Sequence, residues 1–280
     1  ATSDSSSDEP GLGGADQVIW FVANDLNPGA AGSLYGSPPI GLEMQITCWA
    51  YAHSDDLRNV VYQRCRIIYK GTATTPSNAH IDSLYLAKWV DPDIGDYVDD
   101  YAGSSAARGL GYAYNSADVD SKFEGFGIVP PVVGYDLIEG PRVVRPGSTA
   151  HWDLKNIQGY SNLPATTFFY FNGTTRSSDF LLGSYSGTLG WWNILRGYAP
   201  FTSPPRCLVD PTTGQCTPFE LSGDPLTQEG WVDGRFEQAG DRRFVLSSGP
   251  VTMAPGDTQE VVTAFIGALG TDSREGITPL

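Results

Sequence analysis

The feature that most constrains this chain is a strict alternation of side chains between residues 41 and 53. In GLEMQITCWAYAH, Leu42, Met44, Ile46, Cys48, Ala50 and Ala52 interleave with Glu43, Gln45, Thr47, Trp49, Tyr51 and His53. A period of two places one set on each face of a β-strand, which no helix can do. SDDLRN, Ser54 to Asn59, follows as a turn, and NVVYQRCRIIYK reads as the returning strand. Folding symmetrically about that turn sets Cys48 opposite Cys65, Ile46 opposite Ile67, Trp49 opposite Arg64, Tyr51 opposite Tyr62 and Glu43 opposite Lys70. Apolar meets apolar and opposite charges meet, so the register predicts a cross-strand Cys48–Cys65 disulfide. The alternative is a pair of small buried thiols.

Similar strand signals recur in QVIWFVAND, HIDSLYLAKWV, GLGYAYN, TAHWDL, ATTFFYFN, RRFVLSS and TQEVVTAFIGAL. QVIWFVAND is apolar at both parities and reads as a buried strand. Thirty-three glycines and twenty prolines suit short strands joined by many turns. VVRPGSTAHW and TMAPGDTQEV share a Pro-Gly pair that fits a type II turn before a strand. LGWWNILRGY is the single helix candidate, stopping at Gly197. No strand–helix–strand rhythm appears. The expectation is an all-β chain, a large antiparallel β-sandwich of jelly-roll or Ig-like type with long loops and one short helix. Residues 1–16, ATSDSSSDEPGLGGAD, read as a flexible Ser/Gly/Asp-rich tail, and residues 17–280 as one domain.

Charge narrows the partners. Seventeen basic against thirty-two acidic residues give a formal net charge of −15, with no basic cluster. Nucleic acid and anionic membrane surfaces are poor partners for such a chain, whereas divalent cations are favoured. No apolar run is long enough for a transmembrane helix. The first residue is Ala1, which reads as a mature form after removal of an export signal. Cys207 and Cys216 flank the turn sequence Asp210-Pro211…Gly214, which a disulfide can clamp. With Cys48–Cys65 this gives two local bridges and points to an oxidising compartment, extracellular or at the cell surface. No CxxC is present, so the four cysteines do not form a regular zinc pattern.

One stretch concentrates chemistry. WVDPDIGDYVDDY carries Asp91, Asp93, Asp96, Asp99 and Asp100, with Lys88 the one cation beside them. Hard carboxylate oxygens on a loop that Gly95 allows to curl suit Ca²⁺, which takes six to eight oxygens. Gly95 and Ala102 stand where an EF-hand would need other residues, and Mg²⁺ retains its waters and favours phosphates. Asp118, Asp120 and Glu124 are candidate contributors from a neighbouring loop, and Arg108 is a candidate partner of Asp99 and Asp100. The bland alternative is a solvated acidic loop whose aspartates cap turns.

Catalytic signatures are missing from the sequence. His53, His80 and His151 have no metal-binding spacing. GSYSG, Gly183 to Gly187, imitates a nucleophile elbow but puts Tyr185 at its centre. Glu43, Asp136 and Glu139 are carboxylates near strands, and nothing pairs two of them for glycoside hydrolysis. Trp191 and Trp192 are candidates for stacking on glycans, one of them necessarily turned from the core. Asn172-Gly173-Thr174 matches a glycosylation sequon.

Taken together, DQVIWFVANDL, LYGSPPIGLEMQITCWAY, LYLAKWVDPDIGDYVDDYAG, PPVVGYDLIEGP and DRRFVLSSGPVTMAPGDTQEVVTAFIGALG resemble the N-terminal region of large secreted proteins of Bacteroidetes, Ignavibacteria and related bacteria. Many of those carry type IX secretion sorting domains or fibronectin-like modules. The resemblance implies an exported, surface-associated, β-rich protein in which the D-P-D-x-G-D-x-x-D-D run recurs. It differs here in the cysteines, and no sorting domain lies within the 280 residues. The expectation is therefore a non-enzymatic structural or adhesive protein. It would self-associate by adding QVIWFVAND to a neighbour's sheet, or bind other surface proteins. The alternatives are a carbohydrate-binding module and a polysaccharide hydrolase.

Overall fold

The computed structural model describes residues 12, 14–54, 57–173 and 178–280. Most of the predicted tail, the tip of the first hairpin (Asp55 and Asp56) and Thr174 of the sequon lie outside the described residues.

Twelve strands and three helices are described. In chain order these are β1 (Gln17–Asn24), α1 (Pro28–Tyr35), β2 (Leu42–Ala50), β3 (Val60–Tyr69), β4 (Ile81–Val90), β5 (Asp100–Ser105), β6 (Leu110–Asn115), α2 (Ser121–Glu124), β7 (Val132–Glu139), β8 (Arg142–Trp152), β9 (Lys155–Asn162), β10 (Thr167–Phe171), α3 (Tyr185–Ile194), β11 (Arg243–Met253) and β12 (Thr258–Ala268). A seven-stranded sheet runs β1-β2-β3-β12-β7-β6-β5, a three-stranded sheet β10-β11-β4, and β8-β9 form a separate hairpin. Every pairing in them is antiparallel, as the alternation predicts.

The main core lies where the small sheet covers the large one. Ala113 of β6 meets Phe168 and Tyr170 of β10 and Phe244 and Leu246 of β11, with Tyr135 of β7 against them. A second cluster covers the other face of the small sheet. Phe169, Phe171 and Val245 pack there under Phe180, Ile194 and Leu208. Burial on both faces is why TFFYF is apolar at every position after Thr167. The bridged loop also contributes to that cover. Cys207 and Cys216 form a disulfide with Cα atoms 5.6 Å apart.

The first hairpin corrects the predicted register. Cys48 sits opposite Gln63 and Cys65 opposite Ile46, two residues away from the symmetric fold. Two causes act together. The Ser54 carbonyl accepts from both Leu57 and Arg58 N–H, which fixes the return side of the loop. Trp49 then lands opposite Tyr62 rather than Arg64, and the rings stack with centroids 5.3 Å apart and planes at 14°. Cys48 and Cys65 lie diagonally on one face, both free, with Gln63 Nε2 donating to the Cys48 sulfur at 3.6 Å. Burial pushes the Cys65 thiol up to about 11. Two predicted contacts persist as diagonals. Lys70 pairs with Glu43, and the Tyr51 ring meets Tyr62 edge-on at 6.2 Å.

Other departures have local causes. α1 has no apolar periodicity and is set by its ends. Asn27 caps it by accepting from Ala30 N–H, and Pro28 occupies its first turn. α3 starts at Tyr185 because the Ser184 hydroxyl accepts from Gly187 N–H, so GSYSG is a helix cap. The second Pro-Gly pair turns the chain from β11 in the small sheet to β12 in the large one, Asp257 N–H donating to the Ala254 carbonyl at 2.9 Å. The first is a bulge inside β8 between Val144 and Thr149. β1 is not buried. It forms the edge of the large sheet, with Ile19, Trp20, Phe21 and Val22 all exposed.

Candidate metal centre

The loop from β4 to β5 divides its aspartates into two groups. Asp91 and Asp93 lie on one side, where an oxygen of each and one of Asp241 fall within 4.8 Å of one another. Asp91 and Asp93 are exposed, and Arg243 Nη2 stands 3.2 Å from Asp241, so a guanidinium already offsets part of this charge. Burial, then Asp241 and Asp93, raise the Asp91 carboxyl.

The second group is partly dehydrated, with Asp100 and Asp120 buried and Asp96 and Asp99 half-buried. Asp100 opens β5 directly opposite Asn115 at the end of β6, and both are fully buried. Ile94 N–H donates to Asp100 Oδ2 at 2.9 Å, while Oδ1 has no hydrogen-bond partner. Asn115 Nδ2 donates to Asp99 Oδ1 at 3.0 Å and to Asp120 Oδ2 at 3.3 Å. Asp120 is buried too, accepting from Asp96 N–H at 2.8 Å and Lys122 N–H at 2.6 Å. Asp96 caps the short 3₁₀ turn Tyr97–Asp99 through Val98 N–H. Gly95, at φ +73°, makes the fit possible: a Cβ there would stand 2.5 Å from Asp120 Oδ2.

Negative charge accumulates here. Burial is the main cause that pushes the Asp100 carboxyl up to about 8; Ile94 N–H opposes it, and Asp99, Asp93 and Asp120 add to it. Burial and Asp120 likewise raise Asp99, against the Asn115 hydrogen bond. A buried carboxylate oxygen with no donor is expensive, and a hard cation is one way to satisfy it. Among the described residues, the one acidic trio whose oxygens all lie within 4.8 Å of one another is Asp91, Asp93 and Asp241; the side chains gathered near Asp100, namely Asp96, Asp99 and Asp120 with the Asn115 amide, offer oxygen donors. That is the chemistry Ca²⁺ prefers.

Sequence reasoning therefore found the loop but not the grouping. Asp120, named as a contributor, joins the cluster. Asp118 instead accepts from Ser273 N–H at 3.0 Å, and Glu124 is exposed. Arg108 makes no ion pair with Asp99 or Asp100 among the described residues. Asn115 was missed. Its only sequence signal is a polar residue ending the GLGYAYN strand, and only strand pairing puts it opposite Asp100. Asp241 gave no local signal at all.

The remaining candidates disperse. Trp191 packs inward on Phe171 and Phe180, with centroids 5.6 and 5.3 Å away. Trp192 faces outward, and the Arg196 guanidinium lies 4.4 Å over its ring. The two tryptophans do not form one platform. Glu43 is paired with Lys70, and Glu139 faces His151 at 3.3 Å. His53 meets Asp16 and His80 meets Asp82, far apart in the fold's sequence of elements. No helix is long and apolar enough to cross a membrane among the described residues. No protein-family model matches the chain, and no curated protein matches it.

Proposed function

We propose that the chain is a non-enzymatic extracellular structural or adhesive module. A calcium ion bound among Asp96, Asp99, Asp100 and Asp120 fixes its β4–β5 loop, and it self-associates by strand addition. The observation that carries the calcium reading is the fully buried Asp100, whose Oδ1 lacks any donor while the charges of Asp99, Asp93 and Asp120 act on it. Calcium would neutralise that charge and tie β4, β5 and the segment before α2 together, a rigidifying role rather than a bond-breaking one. The Cys207–Cys216 disulfide favours an oxidising compartment. The net charge of −15 favours calcium over anionic partners. Export by a type IX-like route follows from the resemblance alone. Self-association is supported by β1, whose apolar side chains stand exposed at a sheet edge.

The test is calorimetric titration of calcium into chelator-treated protein, with Asp100→Asn and Asp120→Asn as controls. Heat from the wild type that is lost in both variants supports the reading. A wild type that takes up no calcium removes it.

A further inference from the structure

The two sheets of the sandwich are unequal, seven strands against three, and a gap lies between β4 of the small one and β2 and β3 of the large one. A groove of about 490 Å³ opens there. Its two walls are built differently. From the large sheet it touches alternate residues, Met44 and Ile46 of β2, Cys65 and Ile67 of β3, and Val261 of β12, so that wall is a sheet face. From β4 it touches six consecutive residues, Leu84 to Trp89. Successive side chains of a strand point to opposite faces, so only a groove running along the strand's edge can touch them all. β4 ends the small sheet, and no strand pairs with that edge among the described residues. An apolar floor beside an unpaired row of N–H and C=O groups is the shape of a missing β-strand.

Two further observations specify the strand. β1 is apolar at both parities, yet only β2 hydrogen-bonds to it, and Ile19 to Val22 are exposed, Phe21 at the rim of the groove. A sequence of this kind suits a strand covered on both sides, which its own chain does not provide. The other is charge. Lys88 lies in the groove, donates to Gln63 Oε1 at 2.9 Å and sits 4.6 Å over the Phe265 ring, but no carboxylate pairs with it among the described residues. The sixteen residues leading into β1 contain Asp4, Asp8, Glu9 and Asp16 and no lysine or arginine.

Building on the self-association reading above, we propose that the groove is an acceptor slot. It receives β1 of a second copy along the free edge of β4, with the acidic stretch before that strand supplying a counter-charge to Lys88. The donor exchanges its ladder to β2 for one to the neighbour's β4 and lays one apolar face on the floor. The hinge is at Asn24–Asp25, because the Asp25 carboxylate stays anchored on the N–H groups of Ile40, Gly41 and Leu42. Donor and acceptor surfaces differ, so the contact is head-to-tail and builds open chains.

Sedimentation velocity on the full chain over a concentration series, in calcium, tests this. The donor-deficient variant lacks residues 1–24, with Trp20→Asp as its substitute should that deletion not fold. The acceptor-deficient variant is Met44→Glu, at a side chain exposed enough to tolerate the change. The wild type is expected to form a ladder of open oligomers and each variant alone a monomer. Mixing the two variants is expected to give a one-to-one dimer that grows no further. A mixture that stays monomeric, or Met44→Glu chains that assemble as the wild type does, overturns the slot while leaving self-association by another surface standing. A wild type that is monomeric at every concentration overturns both.

Discussion

Replacing Asp100 with asparagine separates a calcium site from a merely buried acid, because the two respond to pH in opposite ways. In the metal-free protein the folded state holds a proton on Asp100 up to about pH 8, whereas an exposed aspartate in the unfolded chain releases it near 3.8. The folded form therefore binds the extra proton, and stability declines as pH rises from about 4 to about 8, then levels off. Each tenfold difference in proton affinity is worth about 1.36 kcal/mol, which sets a ceiling of about 6 kcal/mol on that loss. Relaxation and water entry reduce it, so about 2–3 kcal/mol is the working figure. Calcium requires the ionised form, and a hundredfold excess over its dissociation constant adds about 2.7 kcal/mol. At about 2–4 °C per kcal/mol for a domain of this order, calcium should raise the melting temperature by roughly 5–10 °C at pH 8. The gain should shrink towards pH 5, as protons compete. Asp100→Asn keeps an acceptor for Ile94 N–H and gains an amide donor among Asp99, Asp93 and Asp120. It should melt higher than the wild type in chelator above about pH 7, by ~1–3 kcal/mol, and ignore calcium. Thermal melts from about pH 5 to about pH 9 in calcium and in chelator give the answer. Wild-type curves that coincide in the two buffers at every pH would refute the reasoning.

The other predictions are local. Gly95→Ala combines a φ of +73° with a Cβ 2.5 Å from Asp120 Oδ2, and should cost about 1–3 kcal/mol, read as a lower melting temperature and weaker calcium binding. Asp93→Asn leaves the buried cluster's own oxygens in place and should keep most of the calcium response that Asp120→Asn loses; the reverse order would move the site to Asp91, Asp93 and Asp241. Thiol titration of the unreduced protein should find two free thiols after denaturation, from Cys48 and Cys65. In the native state Cys65 should react slowly at pH 8, since burial holds its thiol up to about 11; a denatured chain with no free thiol would restore the second disulfide.

What could be read in advance follows from how far each signal reaches along the chain. Period-two alternation is local, so β2, β3, β4, β11 and β12 were all visible as strands within a few residues. β5 was hidden because DYAGSS is small and polar, and it is a strand only through its pairing with β6. The hairpin register was misjudged because the turn was centred on the whole of SDDLRN, while the hydrogen bonds to the Ser54 carbonyl and the Trp49–Tyr62 stack decide it. The aspartate loop was legible as a charge density, but its division was not. Asp100 is buried although β5 is an edge strand, because the loop before it folds back and sets Ile94 N–H on its carboxylate, and Asp120 reaches the cluster only because Gly95 lacks a side chain.

β1 shows why the cover of a strand is a separate question from its existence. QVIWFVAN has the composition of a strand buried on both faces, and the hydrophobic effect gives it no reason to remain as an edge open to water. Polar edges, prolines and lysines are the usual means of blocking such an edge, and β1 has none of them. The chain also contains a slot bordered by β4 whose missing element is an apolar strand. Intramolecular closure does not resolve either feature, since β1 is already paired to β2 on the far side of the floor. In the proposed exchange between copies, the strand without a cover meets the cover without a strand, and both belong to the same sequence.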